Sequence, residues 1–169
     1  MTIMRIFFDT EFTGLTSDPR LPSIGLVGDN GKELYIELTD GWTEGNCSAW
    51  VREHVMPMLG KGERLTRREA GKRILSWLSS LETPSTLLGD TDWDTTLLAE
   101  LMDECGITRD RYCLETLAFS GKAQAISFEE AKQRYFERQH VTPHHALTDA
   151  HAFSCAWGIV FGVNPASDD

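Results

Sequence analysis

Ile6-Phe7-Phe8-Asp9-Thr10-Glu11-Phe12-Thr13-Gly14-Leu15 is the stretch that decides how this chain folds. Residues 3–8 are mostly apolar and bulky, which predicts a buried strand. Side chains alternate along a strand, so Asp9 and Glu11 point to one side and Thr10 to the other. Two like charges on one face repel each other unless a cation lies between them, and a divalent ion with oxygen ligands fits. The alternative is a strand end that turns into solvent.

The remaining pattern predicts an α/β fold. Two further strands are expected at residues 23–28 and 33–38, joined by an Asp29-Asn30-Gly31 turn. Together with the first strand they predict an antiparallel meander. Two more strands are expected at 86–90 and 111–119. Helices are expected within 48–59, from the Thr66-to-Glu69 capping box to Pro84, and over 94–105, 127–139 and 146–162. The sum is a mixed five-stranded sheet, a meander followed by parallel strands, flanked by helices.

Composition limits the function classes. The 169 residues, 41% of them hydrophobic, suit one domain over 1–163 with a polar tail at 164–169. A net charge of −10, from 26 acidic and 16 basic residues, argues against a broad basic face that grips long nucleic acids. Four scattered cysteines without a C-x-x-C pair, and no signal peptide, predict reduced thiols in the cytoplasm. No apolar run is long enough to span a membrane.

Acidic residues recur at the ends of predicted elements in three separate segments. The first contains Asp9 and Glu11, the second is Gly89-Asp90-Thr91-Asp92-Trp93-Asp94, and the third is Pro143-His144-His145-Ala146-Leu147-Thr148-Asp149-Ala150. Active sites of α/β sheets gather at strand ends, so these segments are expected to meet. Acidic residues at helix starts are also ordinary caps, which is the competing interpretation for each aspartate of the second segment.

The sequence resembles the DEDDh branch of the DnaQ-like 3'-5' exonucleases, whose fold is RNase H-like. The D-x-E-x-T-G-L motif of that family is matched by Asp9, Glu11, Thr13, Gly14 and Leu15. Its helix-start aspartate after an aromatic residue is matched by Trp93-Asp94, and its H-x-A-x-x-D-A motif by His144, Ala146, Asp149 and Ala150. Within the superfamily the sequence is most similar to small stand-alone bacterial exoribonucleases. That likeness rests on Asp9-Thr10-Glu11-Phe12, Ser23-Ile24-Gly25, Trp50-Val51-Arg52, His54-Val55 and Pro57.

The resemblance implies a metal-dependent 3'-5' exoribonuclease that releases nucleoside 5'-monophosphates. It implies that Asp9, Glu11, Asp94 and Asp149 hold two Mg²⁺ or Mn²⁺ ions and that His144 is the general base. Phe12, Thr13, Gly14 and Leu15 are then expected to bind the 3'-terminal nucleotide of single-stranded or 3'-overhanging RNA. Two departures stand out. Asp90 lies where many relatives have Asn, and His145 beside His144 is a second candidate for the base, although the spacing to Asp149 favours His144.

Several alternatives stay open at this level. A DNA exonuclease shares every catalytic residue, and a non-catalytic nucleic-acid-binding domain on the same fold is a third hypothesis, although it has no need of four clustered carboxylates. Residues 61–73 carry a basic surplus, in which Arg67, Arg68 and Lys72 are candidates for backbone contacts; a solvated helix face is the simpler interpretation. The resemblance also suggests a homodimer, in which this basic segment serves the site of the other subunit.

Overall fold

A computed structural model describes residues 3–81, 84–110 and 112–162 of the chain. Its sheet has six strands in the order β4-β3-β2-β1-β5-β6. The strands are β1 (Met4–Glu11), β2 (Ser23–Gly28), β3 (Glu33–Leu38), β4 (Glu63–Leu65), β5 (Ser85–Gly89) and β6 (Tyr112–Thr116). Strands β1, β2 and β3 form the predicted antiparallel meander, and β5 and β6 run parallel to β1.

The predicted count of five strands is wrong by one, because β4 pairs in parallel with the end of β3. This strand has three residues, Glu-Arg-Leu, of which two are exposed. Such a segment has neither alternation nor length, so nothing in its sequence separates it from a loop. The strand expected over 111–119 is shorter, as β6 ends at Thr116, and Arg111 lies outside the described residues. The predicted tail at 164–169 lies outside them as well.

Five helices accompany the sheet in the described part of the chain. They are α1 (Ala49–His54), α2 (Arg67–Ser79), α3 (Asp92–Glu104), α4 (Lys122–Gln139) and α5 (Ala146–Phe161). The Thr66–Glu69 capping box at the start of α2 is confirmed. None of these helices combines the length and the apolar character that a membrane crossing requires.

The start predicted for α4 is wrong, because the helix begins at Lys122 and residues 127–130 lie inside it. Its N-cap is Gly121, which has no side chain to cap the first turn. Instead the Gln124 side chain accepts hydrogen bonds from the backbone N–H and the hydroxyl of Ser120, at 2.8 and 3.1 Å. Ser127 imitates a cap in the sequence, but Phe128 next to it is fully buried in the middle of the helix.

Alternation along β1 divides the core between the two faces of the sheet. Ile6 and Phe8 pack with residues of α2 and α3, such as Ile74 and Leu98. Phe7 packs on the opposite face with residues of α4 and α5, such as Phe128 and Phe153 of the same cluster. Because Asp9 and Glu11 follow Phe7 at intervals of two, they face the α4–α5 side at the end of the strand.

Gly25 determines how closely α5 approaches the sheet. A Cβ atom at this position would lie 2.3 Å from the backbone N of Leu147 and 2.4 Å from the carbonyl carbon of Ala146. Only glycine therefore allows the first turn of α5 to lie directly on β2. Since Asp9 pairs with Gly25 in the sheet, the same glycine brings the start of α5 next to the β1 carboxylates.

Candidate active site

The carboxyl end of β1 provides the floor of the candidate site. Glu11 is 8% exposed and Asp9 is partly buried, and both side chains line one groove. Thr10 between them is 3% exposed and points to the opposite face, toward α3. The alternation predicted from the sequence thus places two carboxylates together and a hydroxyl behind them.

Asp94 is both a helix cap and a neighbour of the β1 carboxylates. One of its oxygens, Oδ1, accepts from the N–H and the hydroxyl of Thr10 at 3.0 and 2.6 Å. The other, Oδ2, accepts from the N–H and the hydroxyl of Thr91 at 3.1 and 2.6 Å, which closes the capping box of α3. The Thr10 N–H is free for this bond because the pairing of β1 with β5 ends at Phe8. The capping interpretation of Asp94 is therefore confirmed, and the same residue also lines the groove beside the β1 carboxylates.

Asp149 and His144 reach the same point from the start of α5. Oδ2 of Asp149 accepts a hydrogen bond from the backbone N–H of His144 at 2.8 Å. The Glu11 and Asp149 carboxyl groups are close enough to share a hydrogen bond, which raises the pKa of Glu11 and opposes the rise in the pKa of Asp149. One potential ligand atom from each of Glu11, His144 and Asp149 lies within 4.8 Å of the others. Two carboxyl groups and an imidazole this close together in an acidic cluster offer the ligand atoms of a cation site, so these residues fit a hard divalent ion.

The electrostatics of the cluster point the same way. Burial raises the pKa of Asp9 well above its ordinary value, and the charges of Asp94, Asp149 and Glu11 raise it further. Burial, followed by Asp149 and Asp94, raises the pKa of Glu11 to about 9. Burial raises the pKa of Asp149 to about 6, and it also raises the pKa of Asp94 although hydrogen bonds from Thr10 and Thr91 oppose the shift. Without a cation the four groups cannot all be charged at neutral pH.

His144 and His145 are separated by their environments. His144 lies in the groove in a left-handed backbone conformation (φ 73°), and its ring meets the edge of Trp50 at 4.7 Å between centroids. Burial, with smaller contributions from His54 and Lys132, lowers the pKa of His144, so its imidazole is neutral at pH 7. His145 instead caps α5, where its Nδ1 accepts from the Thr148 N–H at 3.4 Å.

The groove has a volume of about 830 Å³ and an apolar wall beside the carboxylates. Leu15 is 76% exposed at its rim, and Trp93, 40% exposed, stacks on Phe12 with ring centroids 6.1 Å apart. Gly14 also lines the groove, in a backbone conformation with φ 144°. Thr13 does not: its side chain is buried beneath the loop, and its hydroxyl accepts from the Arg20 N–H at 2.9 Å.

The other residues singled out in the sequence are divided by the structure. Asp90 lines the groove, whereas Asp92 is exposed and lies outside its lining. Arg67, Arg68 and Lys72 do not line the groove either. The Arg67 guanidinium is already bound to Glu104, with Nε 2.8 Å from Oε2.

Lys132 in α4 is a member of the groove that sequence reasoning missed. Its ammonium forms an ion pair with Asp90, in which both side chains are largely buried. The one signal in the sequence is Asp90 itself, which stands where many relatives have Asn and therefore calls for a cationic partner. Nothing in the α4 sequence distinguishes Lys132 from the neighbouring charged residues.

Comparisons with known proteins agree with this geometry. No protein-family model matches the chain. It is 43% identical over 56 residues to two curated proteins of Mycobacterium tuberculosis, the 3'-5' exoribonuclease MT2234.1 (strain CDC 1551 / Oshkosh) and the 3'-5' exoribonuclease Rv2179c (strain ATCC 25618 / H37Rv). Each alignment spans 33% of this chain and 33% of the relative, so the match covers a third of the length of these proteins.

Solved structures with the same fold include two of exonuclease I. One is E. coli exonuclease I in complex with a 5cy-dA13 oligonucleotide, with a TM-score of 0.57 and 11% identity over 94% of this chain and 41% of that one. The other is a product-bound exonuclease I, with a TM-score of 0.57 and 10% identity over 96% of this chain and 45% of that one. The fold is thus the RNase H-like α/β fold expected from the sequence. In fold, in the order of its three motifs and in the local sequence match, the chain is similar to the DEDDh-type 3'-5' exonucleases of the DnaQ-like group.

Proposed function

We propose that this protein is a metal-dependent 3'-5' exoribonuclease that hydrolyses phosphodiester bonds from the 3' end and releases nucleoside 5'-monophosphates. The observation that carries the proposal is that Asp9, Glu11, Asp94 and Asp149 line one groove, in which ligand atoms of Glu11 and Asp149 lie within 4.8 Å of each other. These residues come from three distant segments. Burying four carboxylates together destabilises the fold, and a domain that only binds nucleic acid gains nothing from such a cluster.

Asp9, Glu11, Asp94 and Asp149 would hold two Mg²⁺ or Mn²⁺ ions, for which all-oxygen ligands are suitable. Such ions, when bound, activate a water molecule and stabilise the charge of the leaving 3'-oxygen. The residues do the rest. Asp94 is fixed by its four hydrogen bonds, and Asp149 by the His144 N–H, so two of the four ligands are oriented before substrate arrives.

His144 acts as the general base in this proposal. Its imidazole lies in the groove beside Glu11 and Asp149, and burial keeps it neutral and able to accept a proton at pH 7. Asp149 accepts the backbone N–H of His144, and Trp50 lies against the ring, so the imidazole is held from two sides. The apolar wall formed by Phe12, Leu15 and Trp93 suits the bases of the 3'-terminal nucleotides, and Gly14 lets the backbone approach them.

We propose RNA and not DNA as the substrate because both curated relatives are named exoribonucleases. The decisive experiment digests 5'-end-labelled RNA and DNA oligonucleotides of one sequence with Mg²⁺, with Mn²⁺ and with EDTA. We expect stepwise shortening of RNA from its 3' end, nucleoside 5'-monophosphates as products and no reaction in EDTA. An Asp149→Ala chain prepared in parallel controls for contaminating nucleases. Faster hydrolysis of DNA would favour the alternative of a DNA exonuclease, and equal degradation by the variant would refute the catalytic assignment.

We also propose that the chain works as a homodimer in the cytoplasm, with the basic segment of one subunit serving the other. Arg67, Arg68 and Lys72 lie outside the lining of the groove of their own subunit, which supports a role at a neighbouring one. Sedimentation is expected to give twice the 19.0 kDa chain mass. Reversal of the three residues to Glu should weaken RNA binding and its salt dependence. Mixing this triple variant with an Asp9→Ala chain should restore activity; a monomer, or an inactive mixture, would refute the proposal.

A further inference from the structure

Lys132 is a buried cation in an acidic groove. Its side chain is 17% exposed and that of its partner Asp90 is 12% exposed. The ammonium lies 5.9 Å from the centroid of the ring of Phe128, which is buried one turn earlier in α4. The ammonium is close enough to affect three neighbours. Its charge opposes the rise in the pKa of Asp9 and Asp149, and it contributes to the lowered pKa of His144.

The charges of the groove leave a task for this lysine. Six carboxylates line it, those of Asp9, Glu11, Asp90, Asp94, Glu129 and Asp149, and among the described lining residues Lys132 is the single Lys or Arg. Two divalent ions would offset four of the six negative charges. An RNA strand adds a phosphate for each nucleotide in the groove, and the ions reach only those next to the scissile bond. A cationic side chain is suited to a further phosphate contact, and among the described lining residues one lysine is in place.

We propose that the Lys132 ammonium, positioned by Asp90, binds a phosphate of the 3'-terminal nucleotides in the groove; this inference rests on the proposed function. Lys132 is then a substrate-binding residue and Asp90 its positioning residue. Asp90 holds the ammonium at the end of β5 before RNA arrives, and the three donors of an ammonium allow Lys132 to contact Asp90 and a phosphate oxygen together. This explains why an acidic residue lies at position 90, since an Asn would leave the buried ammonium without a counter-charge.

A purely structural ion pair between α4 and β5 is the competing explanation, and salt dependence separates the two. One lysine–phosphate contact on a single strand changes the slope of log K against log salt concentration by about 0.7. An ion pair that only fastens α4 would change the thermal midpoint without changing this slope.

The experiment measures RNA binding by fluorescence anisotropy in Ca²⁺ over a series of salt concentrations. Every chain carries His144→Ala to prevent hydrolysis, and intact RNA is verified on gels. Lys132→Met is expected to weaken binding roughly ten-fold to a hundred-fold at low salt and to reduce the slope by about 0.7. Asp90→Asn is expected to retain the slope, because the cation remains. The double variant Asp90→Asn/Lys132→Met removes both charges, keeps the buried site neutral and should match Lys132→Met.

Arg134→Met is the matched control, because Arg134 lies in the same helix, is mostly exposed and lines no part of the groove. It is expected to bind RNA with the slope of the parent chain. If Lys132→Met and the double variant also keep that slope, Lys132 contacts no phosphate and the inference is wrong while the proposed function stands. If the parent chain itself binds no RNA, the proposed function fails and the inference with it.

Discussion

Glu11→Gln is expected to stabilise the metal-free protein at pH 8 and to flatten its loss of stability with rising pH. The pKa of Glu11 is about 9 in the folded chain, above the ordinary value of 4.5. Between these two values the folded chain holds a proton that the unfolded chain has released. The free energy of unfolding therefore falls as the pH rises through this window, by about 1.4 kcal/mol for each pH unit. A glutamine does not titrate, so it abolishes this contribution.

The window from pH 6 to pH 8 isolates Glu11 from Asp149, whose pKa of about 6 places its own titration at the lower end. Over these two pH units Glu11 contributes a decrease of about 3 kcal/mol in the free energy of unfolding. For a chain of this size that corresponds to a fall of about 5–10 °C in thermal midpoint. The pKa of Asp9 is raised as well, so Asp9 also contributes to the fall in the free energy of unfolding. Glu11→Gln should therefore remove a large part of this fall but not all of it.

Thermal melts in EDTA at half-unit pH steps, followed by circular dichroism, measure this effect. Glu53→Gln, an exposed position in α1, controls for the general loss of one negative charge. A parallel series with Mg²⁺ should show the opposite slope for the parent chain, because bound ions require deprotonated carboxylates. Equal slopes for Glu11→Gln, Glu53→Gln and the parent chain in EDTA would mean that Glu11 is not held in a repulsive acidic cluster.

Five further substitutions test the site. Asp9→Ala or Asp149→Ala should abolish hydrolysis in an end-labelled RNA assay while the metal-free chain keeps or raises its thermal midpoint, because a like charge is removed; parental turnover would contradict the ligand assignment. His144→Ala should lower turnover about 10²–10⁴-fold and keep most of the stabilisation by Mg²⁺ in thermal melts. His145→Ala should mainly lower the free energy of unfolding, by about 1 kcal/mol, because α5 loses its cap. Equal effects of the two substitutions on turnover would contradict this division. Gly25→Ala should lower the free energy of unfolding by about 1–3 kcal/mol or more and reduce kcat, since α5 must move away from β2; unchanged melts and kinetics would contradict the close packing.

Much of the site could be predicted because strand alternation and helix capping are local. Alternation alone places Asp9 and Glu11 on one face, and the spacing within 144–149 favours His144 over its neighbour. The structure adds the reason for that preference, as His145 is engaged in capping α5. Asp94 shows the limit of a local argument, since the sequence offered cap and ligand as alternatives. The chain uses one carboxylate as a cap at a position where it also borders the acidic cluster.

What could not be predicted depends on contacts between distant segments. The pairing of Lys132 with Asp90 joins α4 to the end of β5, and no periodicity in either segment records it. Strand β4 is defined only by its hydrogen bonds to β3. The start of α4 was misplaced because Gln124 reaches back to Ser120, a cap that looks like an ordinary helix interior in sequence. The burial of Thr13 likewise follows from its bond to the Arg20 backbone, across a loop without regular structure.

The order of the site residues along the chain has a consequence for biosynthesis. Asp9 and Glu11 leave the ribosome first, Asp94 follows after the meander, and Asp149 belongs to α5, the last helix of the described residues, which packs on the first two strands. A nascent chain that ends before α5 lacks the carboxylate that completes the cluster, and it leaves Phe7 without the α5 side of its core. Domains fold as units during translation, so the acidic cluster is assembled only after the release of this helix. Under the proposed function, an unfinished copy of this protein, still attached to its ribosome and its messenger RNA, is therefore without the means to cut either.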